Sequence, residues 1–181
     1  GAMRAAAHLG VDMANVYICG GEAMVRAAVA GAAEGAALAG RKAPPLVLGV
    51  TVLTSLGPKD LAVTGIPADL YAANLSDTAQ LAELALRRAK QAKAWGLSGV
   101  VCSGHEAARI KAACGPQFIC LTPGIRPRSG DVNDQSRVMT PSEAVAAGAD
   151  FLVVGRPITG APGPGGPLTA MQAILQEMTA A

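Results

Sequence analysis

The sequence predicts an α/β protein built on a parallel sheet. Three observations carry this: five short apolar runs, helical patterns between them, and Gly-, Thr-, Pro- and Arg-bearing segments directly after the runs. The runs are Asn15–Cys19, Leu46–Thr51, Gly99–Cys102, Phe118–Leu121 and Phe151–Val154. They are β-branched or aliphatic and lack two-residue alternation, as strands covered on both faces do. Crossovers between parallel strands are right-handed, and ligands of parallel sheets collect beyond the C-terminal strand ends.

The elements follow in order. Gly1–Leu9 is apolar and Ala-rich with no cap before it, and reads as a helix already in progress; Gly1-Ala2-Met3 fits an appended scar and native helix sequence equally. Asp77–Trp95 places Leu81, Leu84, Ala85, Ala89 and Ala92 on one stripe, the signature of a helix with one buried side. Ser103-Gly104-His105-Glu106 is a capping box, and its helix puts Ala107, Ile110 and Cys114 on one side before stopping at Gly115-Pro116. Thr140-Pro141-Ser142-Glu143 repeats the device with Pro at the first helical position, and Gly148 ends that helix. After the Pro/Gly-rich segment Gly160–Pro167, residues Leu168, Met171, Leu175 and Met178 make an amphipathic closing helix whose apolar side is expected in the core.

Composition narrows the function classes. The 181 residues are 51% hydrophobic and 15% charged, which excludes a disordered tail. The net charge is +2 with no Lys/Arg block, so nucleic acid is not an expected partner. No apolar run approaches the ~20 residues of a membrane span and no signal-peptide layout is present, so a cytoplasmic protein without a membrane partner is expected. Cys19, Cys102 and Cys120 lie in strand-like stretches and Cys114 near a helix end. None forms a Cys-x-x-Cys pair, and there are two histidines. Buried reduced thiols and no metal site are the expectation.

Chemistry is expected in three segments at strand ends. Thr51-Val52-Leu53-Thr54-Ser55 offers hydroxyls and amides, or is an ordinary strand exit. Thr122-Pro123-Gly124-Ile125-Arg126-Pro127 holds one arginine on a stiffened backbone, and the polar stretch Arg128–Arg137 after it is a functional or a plain surface loop. Gly155-Arg156-Pro157 sets a glycine amide beside a guanidinium, which suits a phosphate dianion, a structural ion pair being the alternative. His8 and His105 are expected to face solvent. No Gly-x-Gly-x-x-Gly, Gly-Lys-Ser/Thr or Gly-x-Ser-x-Gly motif occurs.

Taken together, Thr51–Ser55, Gly99-Val100-Val101-Cys102-Ser103, Thr122–Pro127, Asp134-Gln135, Arg137-Val138-Met139-Thr140-Pro141 and Val154-Gly155-Arg156-Pro157-Ile158-Thr159 resemble bacterial-type orotidine 5′-phosphate decarboxylase. Asn15–Gly21 also resembles that family's fourth strand and its exit, with Tyr17 where a histidine is usual. The resemblance spans the chain and implies a (β/α)8 TIM barrel, here a single incomplete barrel domain over residues 1–181 matching about strands four to eight. It also implies a homodimer that uses no metal or organic cofactor.

Residue by residue, it implies that Thr54 contacts the nucleotide near ribose and base. Arg126 and Gln135 belong to the loop closing over the phosphate, and Gly155 with Arg156 bind the phosphate. The reaction implied is loss of the C6 carboxylate of orotidine monophosphate to give UMP and carbon dioxide. The family's acid/base array comes from an Asp-x-Lys-x-x-Asp segment with another lysine, and an aspartate of the partner subunit completes it. No such segment occurs in this sequence. The chain alone is therefore expected to carry the phosphate and nucleotide contacts but little turnover. The competing expectations are a non-catalytic, phosphate-binding or self-associating fragment, and a sister barrel enzyme acting on a sugar phosphate with magnesium.

Overall fold

The computed structural model describes residues 1–63, 65–66, 76–127 and 138–179. Five strands form one sheet: β1 (Met13–Tyr17), β2 (Leu46–Val50), β3 (Gly99–Val101), β4 (Ile119–Thr122) and β5 (Phe151–Leu152). Every neighbouring pair is parallel and the spatial order is β1-β2-β3-β4-β5. Doubly wound sheets reverse their strand order at a switch point, whereas this one never does. With crossovers of one hand, a sheet in consecutive order keeps its helices on one face and curls as a barrel wall does.

The helices are α1 (Ala2–His8), α2 (Gly21–Leu38), α3 (Pro58–Val63), α4 (Asp77–Ala94), α5 (Gly104–Cys114), α6 (Pro141–Ala146), α7 (Arg156–Thr159) and α8 (Gly166–Thr179). The main core lies between helices and sheet, where Val25, Val47, Ala89, Val100, Ile110 and Cys120 bury together. The stripe expected on α4 is buried throughout, as are Ala107, Ile110 and Cys114 of α5. Both capping boxes form: Ser103 with Glu106, and Thr140 with Glu143. Among the described residues no helix is long and apolar enough to cross a membrane.

β5 has only two residues, and a polar clasp at its start compensates. Asp150 accepts a hydrogen bond from Lys111 Nζ at 2.6 Å and from the Cys120 N–H at 2.7 Å, and Lys111 also donates to the Pro116 carbonyl at 2.9 Å. The clasp ties β5 to β4 and α5 at the N-terminal strand ends, leaving the opposite rim free for chemistry.

Three expectations need correction. The first strand starts at Met13 rather than Asn15 and ends at Tyr17, because residues Ile18–Gly20 turn into a 3-10 helix before Gly21, at φ 84°. Cys19 thus lies on that turn and is exposed, while Cys102, Cys114 and Cys120 are buried as expected. The apolar side of α8 is not core: Leu168, Met171 and Leu175 are exposed and Ile174 alone of that helix is fully buried. Helical spacing identifies the stripe, but only a neighbouring element can cover it. His8 and His105 are both exposed, as expected.

Helix α2 forms despite Gly31 and Gly35, which lower helix propensity. Packing explains it. A Cβ on Gly35 would stand 2.2 Å from the Arg4 carbonyl oxygen and 2.8 Å from the Ala7 Cβ, so α1 lies almost against the α2 backbone. At Gly31 the nearest atom would be 3.4 Å away. Gly35→Ala is therefore expected to cost roughly 2 kcal/mol or more through overpacking. Gly31→Ala should stay within about 0.5 kcal/mol of the parent, since better propensity offsets the mild crowding. Urea unfolding of the two variants side by side checks this; equal stability would mean that α1 does not dock as described.

Candidate functional site

Because all five strands run the same way, their exits share one rim. At the exit of β2, Thr51 donates to the Val101 carbonyl twice, from its N–H at 3.1 Å and from Oγ1 at 2.9 Å. Its own carbonyl accepts from the Arg88 guanidinium of α4. Thr54 follows and is buried. At the exit of β3, the Ser103 N–H donates to Glu106 Oε2 at 3.0 Å, and both residues are buried. That carboxylate sits in the first turn of α5, where the helix dipole favours it.

The exit of β4 is braced by a second, isolated parallel bridge between Ile125 and Met139. The Arg126 N–H donates to the Met139 carbonyl at 3.0 Å, and the Met139 N–H donates to the Gly124 carbonyl at 3.2 Å. Gly124 is at φ 79°, a conformation that favours glycine. This bridge joins the described stretches that end at Pro127 and resume at Val138. Arg126 is buried, only 8% exposed, and its guanidinium donates to the Ile125 carbonyl at 2.8 Å. Gln135 lies outside the described residues.

At the exit of β5, Gly155 caps α7 by accepting the N–H groups of Ile158 at 2.9 Å and Thr159 at 3.0 Å. A Cβ there would meet nothing within 4 Å, so the approach to this backbone is open. Arg156 opens α7 and is exposed at the rim. Four of the five residues singled out in the sequence, Thr54, Arg126, Gly155 and Arg156, therefore stand at the exits of β2, β4 and β5 on one edge of the sheet. Since β4 and β5 are neighbours, the two arginines leave adjacent strands.

Arg88 belongs at this rim too, and the sequence reading passed over it. A signal was present: Arg88 stands four residues after Leu84 and one before Ala89, a cation set within the apolar stripe of α4. Burial pushes its pKa down, and the nearby Cys19 thiol works in the opposite direction. Among the described residues no group of His, Cys, Asp and Glu could hold a metal ion.

Known proteins match nearly the whole of this chain, which spans about two thirds of their length. The sequence model of the orotidine 5′-phosphate decarboxylase / HUMPS family matches residues 1–171. The chain belongs to that family. An orotidine 5′-phosphate decarboxylase of Nitratidesulfovibrio vulgaris (strain Miyazaki F) is 54% identical over 187 residues, covering 100% of this chain and 69% of the relative. That of Moorella thermoacetica is 46% identical, covering 98% of this chain and 65% of the relative. The crystal structure of the orotidine 5′-phosphate decarboxylase from Lactobacillus acidophilus superposes with TM-score 0.72 at 32% identity, over 98% of this chain and 67% of that one. The fold of the orotidine 5′-phosphate decarboxylase family is the TIM barrel, and its activity is that of a lyase. The consecutive parallel order described above is five strands' worth of such a wall.

Behind the rim, Cys102 directly follows β3 and Cys120 lies in the neighbouring β4, and their thiols are hydrogen-bonded. That bond, then burial, then the neighbouring charges of Cys120 and Glu106 push the Cys102 pKa well above the ordinary thiol value of 9.0. The sign follows from linkage. The folded chain keeps this proton to higher pH than the unfolded one, so its stabilisation is complete below the ordinary value and is lost as pH rises from there towards the folded one. The same bond lowers the Cys120 pKa, so the comparison removes both thiols. Between about pH 9 and pH 11, the unfolding free energy of the parent should fall more steeply than that of the variant carrying Cys102→Ala and Cys120→Ala together. Urea titrations across that range provide the comparison, and parallel slopes would exclude the thiols as the source.

Proposed function

We propose that this chain supplies the phosphate- and nucleotide-holding rim of an orotidine 5′-phosphate decarboxylase, which converts orotidine monophosphate to UMP and carbon dioxide. The observation that carries this is the convergence of Thr54, Arg126, Gly155 and Arg156 on the C-terminal edge of a parallel sheet, the edge at which barrels bind phosphorylated ligands. An arginine forks onto phosphate oxygens while an unobstructed glycine lets the backbone come close.

In this reading Gly155 and Arg156 grip the phosphate. Arg126 and Gln135 close over it, and Thr54 meets the ribose and base. Contacts so far from C6 act indirectly. Their binding energy draws the loop shut, excludes water and favours interactions made in the transition state. The bridge between Ile125 and Met139 supports this role, because it fixes Arg126 and the described residues on either side of Gln135 at the β4 exit. The lysine–aspartate array that handles the carbanion and proton in the family has no counterpart segment in this sequence.

The same reading makes the protein a homodimer in pyrimidine nucleotide synthesis, working in the cytoplasm without metal or organic cofactor. The four free cysteines suit a reducing compartment.

Arg156→Ala should weaken UMP binding by about 10- to 100-fold, the range of a lost charge-assisted contact. Uridine, which has no phosphate, should bind within about twofold of the parent affinity if the loss is confined to that contact. Calorimetric titration of both ligands tests the assignment, and an equal loss for the two would refute the phosphate role.

A further inference from the structure

We propose that Arg88 is a positioning residue: by tying helix α4 to the exit of β2, it holds Thr54 in place for the nucleotide. The proposal rests on the reading of Thr54 as a ribose- and base-side contact.

Thr51 is the point of attachment. Its N–H and hydroxyl are both spent on the Val101 carbonyl of β3, and its carbonyl accepts the Arg88 guanidinium. All three polar groups of one residue are thus engaged, by two different elements, three positions before Thr54. Helix α4 is a firm base for the brace, since Leu81, Leu84, Ala85, Ala89 and Ala92 are buried along its length. Placing a guanidinium on that stripe is costly, and among the described residues no carboxylate pairs with it. The carbonyl of Thr51 is what it reaches.

Packing anchors one side of the loop, where Val52 is buried with Leu81 and Leu84 and Leu56 packs against them, but not the side that faces Arg88. A cavity of about 240 Å³ opens there, bordered by Tyr17, Leu53, Leu56, Ile66 and Arg88 itself. Where side chains do not fill the space behind a loop, directional hydrogen bonds decide its position. At its far end the loop is closed by a turn, with the Leu56 N–H donating to the Leu53 carbonyl at 3.1 Å and the Gly57 N–H to Asp60 Oδ2 at 2.8 Å. Thr54 is buried between brace and turn.

The test is a double-mutant cycle on the protein that carries this chain, with uridine and UMP titrated into the parent, Arg88→Met, Thr54→Ala and the double variant. Arg88→Met should weaken both ligands equally, by about tenfold, as expected for a lost hydrogen bond to a charged donor. In the Thr54→Ala background it should cause no further loss, because an effect transmitted through Thr54 disappears with it. Arg88→Lys, which keeps a donor, should recover most of the affinity, and it carries the test should the Met variant not fold. Additive losses in the cycle, or Arg88→Met and Arg88→Lys binding as the parent does while Thr54→Ala binds weakly, would overturn the proposal alone. Unchanged binding by Thr54→Ala would overturn the reading beneath it as well.

Discussion

The direction of the backbone ladder is the constraint on which this molecule depends. From Met13 to Leu152 every strand pairs with the next in the same sense, with no reversal and no exchange of order. A parallel neighbour can be reached only through a crossover, so each strand must be followed by a return segment on the helical side. Residues far apart in the chain, such as Thr54 and Arg156, are thereby delivered to one edge without any direct contact to specify it. The opposite edge is used for stability, through the Lys111–Asp150 clasp.

Within that frame the site is held by short-range devices. A capping box begins α5 at the exit of β3. Another begins α6 just after the bridge between Ile125 and Met139. These are local hydrogen bonds of modest individual strength. Their effect is to fix where chains leave the rim, which matters more to a binding site than the net stability they add. The β2 exit differs from the others in depending on a long side chain from a distant helix, beside unfilled space.

Apolar surface flanks both edges of the sheet. A cavity of about 510 Å³ lies along α1, β1 and α2, and another of about 320 Å³ lies between β5 and α8. Phe151 and Val153 are close to half exposed on the β5 side. The apolar stripe of α8 belongs to this surface, so its pattern was right as chemistry while its burial was a question of what stands opposite.

What the sequence determined by itself was whatever depends on nearest neighbours along the chain. Helix ends are of that kind: Ser103 with Glu106 and Thr140 with Glu143 satisfy one another within a single turn, and both formed as read. So are the apolar runs, whose β-branched composition marks strands to within a residue or two. The family resemblance was legible because it rests on residue identities at strand exits, where chemistry allows few substitutes. The tertiary structure alone decided three things. Gly35 had to admit the Arg4 backbone, Cys19 fell beyond the last paired residue of β1, and Arg88 found a carbonyl thirty-seven positions away. Each depends on what a second element brings up against the first, and no periodicity within one segment encodes its neighbour.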